Sequence, residues 1–239
     1  MLQSILALFE QRKVVKNHHL LCLGDSHIEI FKHIDTEGLL PNSSIEVVSV
    51  GGATAQGMIN PNSRTDALRV FEEKMRETPL SHIIVLQLGE VDCGFVIWYY
   101  AEKFSVPIAD QLGRSLSNYG LFLKRVKEKG YNNVIVLSAP LPTIADGQNW
   151  GEIANARREI KASLRERTVL TIRYNQLLGN VCKQNNVIYI DTTPNLLDVK
   201  SGTIKSGFLN SDKADHHLNQ TTYSRLICDI LRDKLHDII

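Results

Sequence analysis

Four short stretches of this sequence carry residue types that could do chemistry together. The first is Gly24-Asp25-Ser26-His27. A serine hydroxyl becomes a nucleophile when a base takes its proton, and its own backbone N–H can stabilise charge developing on an attacked carbonyl. The plainer reading is that Asp25 or Ser26 caps the helical segment marked by Ile28 and Phe31. The second stretch is Ser49-Val50-Gly51-Gly52-Ala53-Thr54. Paired glycines permit positive φ and bring an amide close to a ligand, although an ordinary turn uses glycine as well. The third, Gly89-Glu90-Val91-Asp92-Cys93-Gly94, sets two carboxylates close together, as acid/base groups, metal ligands or turn caps. Asp25, Glu90 and Asp92 are candidate substrate-binding groups. The fourth is Asp212-Lys213-Ala214-Asp215-His216-His217-Leu218-Asn219. A carboxylate beside a histidine fixes its tautomer and lets it accept a proton from serine. Here the plain alternative is that Asn219 caps the next helix and the histidines face water. A metal site is not expected, because neighbouring histidines should point apart and no HExxH motif is present.

The elements that must position these residues are visible as apolar runs. Leu20–Leu23, Ile45–Val50, Ile83–Leu88, Val134–Leu137 and Val187–Ile190 are mostly too continuous for strands with one wet face. They fit parallel strands covered on both sides. Val70, Phe71, Lys74 and Met75 mark a helix after the second strand, and Leu112, Leu116, Tyr119, Leu123 and Val126 mark another, closing near Gly130. Ile153 to Lys183 reads as a long helix with Ile160, Leu164, Ile172, Leu178 and Val181 inside, and a helix is expected over about 1–16. Tyr223, Leu226, Ile227, Ile230 and Leu231 repeat at i, i+3, i+4, i+7 and i+8, which is an amphipathic helix. Strands alternating with helices give a three-layer α/β/α domain on a five-stranded parallel sheet. Ligands of such sheets bind beyond the carboxyl ends of the strands, where the first three stretches fall.

Composition narrows the function further. A chain of 239 residues with a net charge of +1 has no field to attract nucleic acid, and 43% hydrophobic and 22% charged residues suit one globular domain. The four cysteines, Cys22, Cys93, Cys182 and Cys228, form no CxxC pair and are expected as free thiols. No apolar stretch approaches the ~20 residues of a membrane span, and Met1 to Val15 does not read as a signal peptide. The expected location is the cytoplasm. Arg157, Arg158, Lys161, Arg165 and Arg167 are expected on a solvated helix face. Trp98-Tyr99-Tyr100 and Trp150 are expected on sheet-edge loops, packed over the core or offered to a sugar ring. Neither GxGxxG nor a P-loop follows any strand, so a nucleotide-binding protein is disfavoured.

Taken in order, Gly24-Asp25-Ser26, Gly52, the Gly89 motif and the C-terminal Asp/His motif resemble those of the SGNH (GDSL-like) hydrolases. The resemblance runs from about Leu20 to the last helix. It implies a flavodoxin-like sheet and ester hydrolysis or acyl transfer without metal or other cofactor. It also implies Ser26 as nucleophile, His217 as base, and the Ser26 and Gly52 amides as oxyanion donors. An aspartate orients the histidine, either Asp215, two residues before it, or Asp212, five before it; Asp215 is preferred as the closer. The family's third motif is Gly-x-Asn-Asp, whereas this chain has Gly89-Glu90-Val91-Asp92, so valine stands where an asparagine would donate to the oxyanion. The Gly-Glu-Val-Asp-Cys form is similar to SGNH-like proteins associated with polysaccharide biosynthesis. The implied substrate is a small-molecule or glycan ester. Valine at that position also keeps open a non-catalytic module that binds a glycan or protein.

Overall fold

The computed structural model describes residues 17–147 and 160–236. The helix expected over 1–16, Arg157, Arg158 and Trp150 lie outside the described residues. In chain order the elements are β1 (His18–Gly24), α1 (Ile30–Thr36), β2 (Ser43–Ser49), α2 (Ala67–Glu77), β3 (Ile83–Gln87), α3 (Ile97–Phe104), α4 (Ile108–Glu128), β4 (Val134–Leu137), α5 (Leu164–Gln184), β5 (Ile188–Ile190), α6 (Thr193–Leu196), β6 (Leu197–Asp198), β7 (Thr203–Ile204) and α7 (Gln220–His236).

Each of the five apolar runs forms a strand of one parallel sheet, ordered β2-β1-β3-β4-β5. Parallel neighbours need crossovers, which cover both faces of the sheet with helices. The alternating side chains of β1 show this directly. Leu21 and Leu23 enter one core with α2, α4 and α5, while Leu20 and Cys22 enter the other with α1 and α7. At about 1.5–3 kcal/mol for each fully buried aliphatic side chain, β1 alone holds a sizeable share of what keeps a domain folded. The chain reverses its direction of travel across the sheet at β1, between β2 on one side and β3 on the other. That switch point is where such sheets leave a crevice for ligands. All four cysteines are buried and free. Among the described residues no helix is long and apolar enough to cross a membrane.

Three expectations are corrected. The long helix begins at Leu164, because Ser163 caps it: its hydroxyl accepts from the Glu166 amide at 3.2 Å and the Glu166 carboxylate accepts from the Ser163 amide at 2.8 Å. Its buried apolar residues are Leu170, Tyr174, Leu178 and Cys182. Val181 and Ile172 pack partly buried against the two cores as expected, whereas Ile160 precedes the helix and Leu164 is only its half-buried first residue. Polar Arg167, Thr171 and Asn175 are buried on the inner face too, so apolar residues alone mark it only in part. Arg167 does not face solvent, since its guanidinium donates to the Ile144 carbonyl at 2.6 Å. Trp98, Tyr99 and Tyr100 lie on α3 rather than on a loop, and the Trp98 indole donates to the Cys93 carbonyl at 2.8 Å.

Candidate active site

β1 ends against both of its neighbours, with Gly24 opposite Ser49 of β2 and Gln87 of β3. The Asp25 amide then donates to the Gln87 carbonyl at 3.3 Å, and the Ser49 hydroxyl to the Asp25 carbonyl at 3.2 Å. Ser26 is thereby held over the switch point, at the start of a 3-10 turn spanning Ser26–Glu29. Asp25 is the N-cap of that turn, as the plain reading of this stretch has it. Its Oδ1 accepts from the His27 amide at 2.9 Å and lies 3.1 Å from His27 Nδ1. Ser26 is half-buried, and among the described residues its amide and hydroxyl donate to no other group.

Gly52 follows β2 with φ of 73°, a left-handed conformation that favours glycine. The turn is closed by the Ala53 amide on the Val50 carbonyl at 3.0 Å. The Gly52 amide donates to no group among the described residues. Two free amides, those of Ser26 and Gly52, therefore lie beyond the ends of two adjacent strands.

After β3, Gly89 takes φ of 117°, and a Cβ there would meet the Tyr174 ring at 2.7 Å. Close packing and conformation both require glycine. The chain then turns into helix through Glu90 and Val91, followed by a π-helical turn at Asp92–Val96. Asp92 is fully buried and its oxygens are taken: Oδ2 accepts from the Ala55 amide at 2.8 Å, and Oδ1 from the Gln56 amide at 3.0 Å and the Ser115 hydroxyl at 2.6 Å. Burial raises its pKa against the lowering pull of those three donors. Asp92 thus ties the loop after β2 to α4. Asp25 is likewise fully buried, and Glu90 keeps 3% of its surface. None of these three carboxylates, read from sequence as substrate-binding candidates, offers a face to a ligand arriving from solvent. Val91 is half-buried and has no polar atom on its side chain.

The histidine corner precedes α7. An isolated bridge between Leu209 and Leu218 closes the loop, and Asn219 accepts from the Thr222 amide at 3.1 Å, capping α7. Asp215 Oδ1 accepts from the His217 amide at 2.9 Å and lies 2.6 Å from His217 Nδ1. Asp212 instead accepts from the Ala214 amide at 2.8 Å, within its own turn. Burial raises the Asp215 carboxyl, but the amide and ring of His217 outweigh it and hold the group below the usual carboxylate range. His217 Nε2 is buried without a hydrogen-bond partner, so the bond from Ser26 Oγ is not formed in this conformation.

Two positioning groups had no sequence signal. Asn210 Nδ2 donates to Asp215 Oδ2 at 2.8 Å, and the Thr143 hydroxyl, from the loop after β4, donates to the His216 carbonyl at 2.6 Å. Thr143 acts across two loops that only the fold brings together, whereas Asn210 acts within the loop that the Leu209–Leu218 bridge closes. The expectation that His216 and His217 point apart is corrected, since their ring centroids are 4.1 Å apart. Both rings also contact His27, at 5.4 Å and 4.8 Å. Beside this corner a cleft of about 500 Å³ is lined by Thr143, Asp146, Asn210, Lys213 and Asp215.

No protein-family model matches this sequence, and no curated protein matches it. Solved structures do match in fold. A GDSL-like lipase from Bacteroides thetaiotaomicron aligns over 100% of this chain and 96% of its own, with a TM-score of 0.58 and 15% identity. A carbohydrate acetylesterase from Sinorhizobium meliloti aligns over 93% and 100%, with a TM-score of 0.55 and 14% identity. An aryl esterase from M. smegmatis aligns over 93% and 100%, with a TM-score of 0.56 and 11% identity. At such identities the likeness is one of fold.

Proposed function

We propose that this protein is a serine-dependent ester hydrolase of the SGNH (GDSL-like) type, acting on a small O-acyl group such as an acetyl ester of a carbohydrate. The observation that carries the reading is the Asp215–His217 pair. With Nδ1 tied to Asp215 at 2.6 Å, the remaining nitrogen, Nε2, is the proton acceptor, and the His217 ring packs 4.8 Å from the ring of His27, the residue next to Ser26. The fold shared with an acetylesterase and two other ester-cleaving proteins supports it. So does the cleft beside Asp215, whose volume of about 500 Å³ suits a small ligand.

In the proposed mechanism His217 Nε2 takes the Ser26 hydroxyl proton as Oγ attacks the ester carbonyl carbon. The amides of Ser26 and Gly52 receive the oxyanion. His217 then gives the proton to the departing alcohol, and water, deprotonated by the same nitrogen, releases the acid and frees Ser26. Transfer to a sugar hydroxyl differs only in the group that takes the place of water. Closing the Ser26–His217 hydrogen bond falls to substrate binding, as in many sites whose catalytic bonds tighten only in the complex. Val91 leaves the oxyanion one donor short, a deficit of about 3–4 kcal/mol in barrier, or a hundredfold or more in rate.

The valine and the unformed hydrogen bond also favour a second reading, a module of the same fold that binds a glycan without turning it over. Labelling with a fluorophosphonate separates the two. The hydrolase reading expects label on the wild-type protein and none on Ser26→Ala. A folded wild-type protein that takes no label favours the binding module.

A further inference from the structure

Three imidazoles from opposite ends of the chain meet above the sheet. Ligating nitrogens of His27, His216 and His217 lie within 4.8 Å of one another. Two of these rings are prepared in the same way. Asp25 Oδ1 contacts the amide and Nδ1 of His27 at 2.9 and 3.1 Å, and Asp215 Oδ1 contacts the amide and Nδ1 of His217 at 2.9 and 2.6 Å. A carboxylate at Nδ1 keeps the ring proton there, fixes the ring's orientation and makes Nε2 a better lone-pair donor. Carboxylate–histidine pairs of this kind stand behind metal-binding histidines. His217 Nε2 is moreover buried and unpartnered, a state that marks a catalytic atom or a place for a water or an ion.

We propose that the cluster is a binding site for a divalent transition-metal ion of the zinc class. The ligands are Nε2 of His27, Nε2 of His217 and a ring nitrogen of His216, with the fourth place open. Imidazole ligands suit zinc, copper and nickel, whereas magnesium and calcium prefer oxygen. Zinc–nitrogen bonds of about 2.0–2.1 Å in a tetrahedron put the nitrogens roughly 3.4 Å apart. The widest-spaced pair must therefore close by at most somewhat over an ångström, a movement that falls to the half-exposed His216–His217 corner rather than to buried His27. Three histidines with an open fourth place is the pattern of a zinc site that exchanges ligands rather than a purely structural one.

A consequence follows that rests on the serine-hydrolase reading. Nε2 of His217 cannot both coordinate an ion and take the proton of Ser26. The metal-free and metal-bound states exclude one another, and zinc silences the serine.

The test titrates the chelator-stripped full chain with Zn²⁺ alone, in competition with a chromogenic chelator. One ion per chain is expected. His27→Gln and His216→Gln should each weaken binding by more than the roughly 10- to 100-fold seen when only the carboxylate behind a ligand is lost. Ser26→Ala should bind as the wild type does. Absence of binding, or affinity unchanged in a folded His216→Gln protein, overturns the site. His27 is buried, so should His27→Gln unfold, the more exposed His216→Gln decides alone. In a second arm, saturating zinc should abolish fluorophosphonate labelling and chelator should restore it. Labelling that proceeds with zinc bound overturns the exclusion. A metal-free protein that takes no label removes the serine reading and the silencing with it, while one zinc per chain in Ser26→Ala upholds the site.

Discussion

Asp25-Ser26-His27 and Asp215-His216-His217 are the same turn built twice. In each, one aspartate oxygen binds the amide and ring Nδ1 of the histidine two residues on. Their surroundings differ. The first pair has side-chain exposures of 4% for His27 and 0% for Asp25, whereas the second has 33% for His217 and 37% for Asp215. Three residues are enough to dictate the local hydrogen bonding, but burial decides what the turn can do. The first, locked to the end of β1, fixes where Ser26 and the His27 ring stand. The second, on a loop, keeps about a third of each side chain exposed, where a substrate can meet it. A turn alone therefore does not reveal the base.

The largest expected effect separates the two histidines by catalysis. His217→Ala should remove nearly all hydrolysis of short-chain aryl esters, as should Ser26→Ala. His216→Ala should cost much less in metal-free protein, because the Asp215–His217 contact does not involve the His216 ring. Comparable losses at His216 and His217 would mean that the open corner works as a pair.

The two aspartates should then part company. Asp215→Asn keeps the shape but favours the wrong ring tautomer, with a loss of up to ~10⁴ in kcat expected from the serine–histidine–aspartate precedent. Asp212→Asn should leave kcat close to wild type, since that side chain accepts from the Ala214 amide in its own turn and makes no bond to His217. Asp25→Ala should register chiefly as stability, through a lost helix cap worth about 1 kcal/mol and a buried histidine left without its carboxylate. Urea denaturation and kcat measured side by side on both variants check the contrast. Equal kinetic losses at Asp25 and Asp215 would erase it.

Asp92 sharpens the same point from a third position. It was as plausible a functional carboxylate as Asp215 in the sequence, yet it is enclosed by two amides and a hydroxyl. Asp92→Ala leaves three donors without an acceptor, at about 1–3 kcal/mol for each one that water does not reach. A loss of several kcal/mol in denaturant unfolding is expected. Burial also raises its carboxyl above the usual range. A raised folded-state value means that its ionisation works against folding: the stability gained from the protonated form is present at acid pH and lost as pH rises through the folded pKa.

What was legible in the sequence divides along the same line. The five strands declare themselves because parallel strands buried on two faces are continuously apolar, and α7 because its buried stripe repeats with the helical period. The start of α5 was missed because Ser163 and Glu166 form a local cap inside a run that still looks helical. The inner face of α5 is only partly legible: Leu178, Val181 and Ile172 declare themselves, but Arg167, Thr171 and Asn175 are buried there too, Asn175 holding both the amide and carbonyl of Ala139 at 2.9 Å. Ser26, Gly52 and the Asp/His stretch were legible as candidates because each is local. The meeting of His27 with His216 and His217 was not, since it exists only once β1 and α7 are packed at the same edge. Thr143 was illegible for the same reason, while Asn210, only five residues before Asp215, was illegible because no periodicity or motif marks the shape of that loop.

The smallest expected effect concerns how firmly the open corner is held. Asn210 Nδ2 supports Asp215 from the side opposite His217. A hydrogen bond to a charged group is worth about 1.5–3 kcal/mol when water is excluded, but Asp215 is 37% exposed, so solvent replaces much of what Asn210→Ala removes. Less than a tenfold loss in kcat is expected, with KM nearly unchanged. The pH dependence should reveal more than the rate. Burial raises the Asp215 carboxyl and the amide and ring of His217 lower it further than that, leaving it below the usual range. Its contribution to stability is therefore present above the unfolded carboxylate value of roughly 3.9 and fades as pH falls through the lowered folded value. Taking away the Asn210 donor destabilises the ionised form, so the Asp215 carboxyl should titrate at higher pH in Asn210→Ala, and the acid loss of activity should begin earlier. Carbon-13 NMR of the carboxyl, followed from neutral pH downward, measures the first, and a pH–rate profile the second. A titration that does not move would show that water already does the work of Asn210, and that the open corner is held without it.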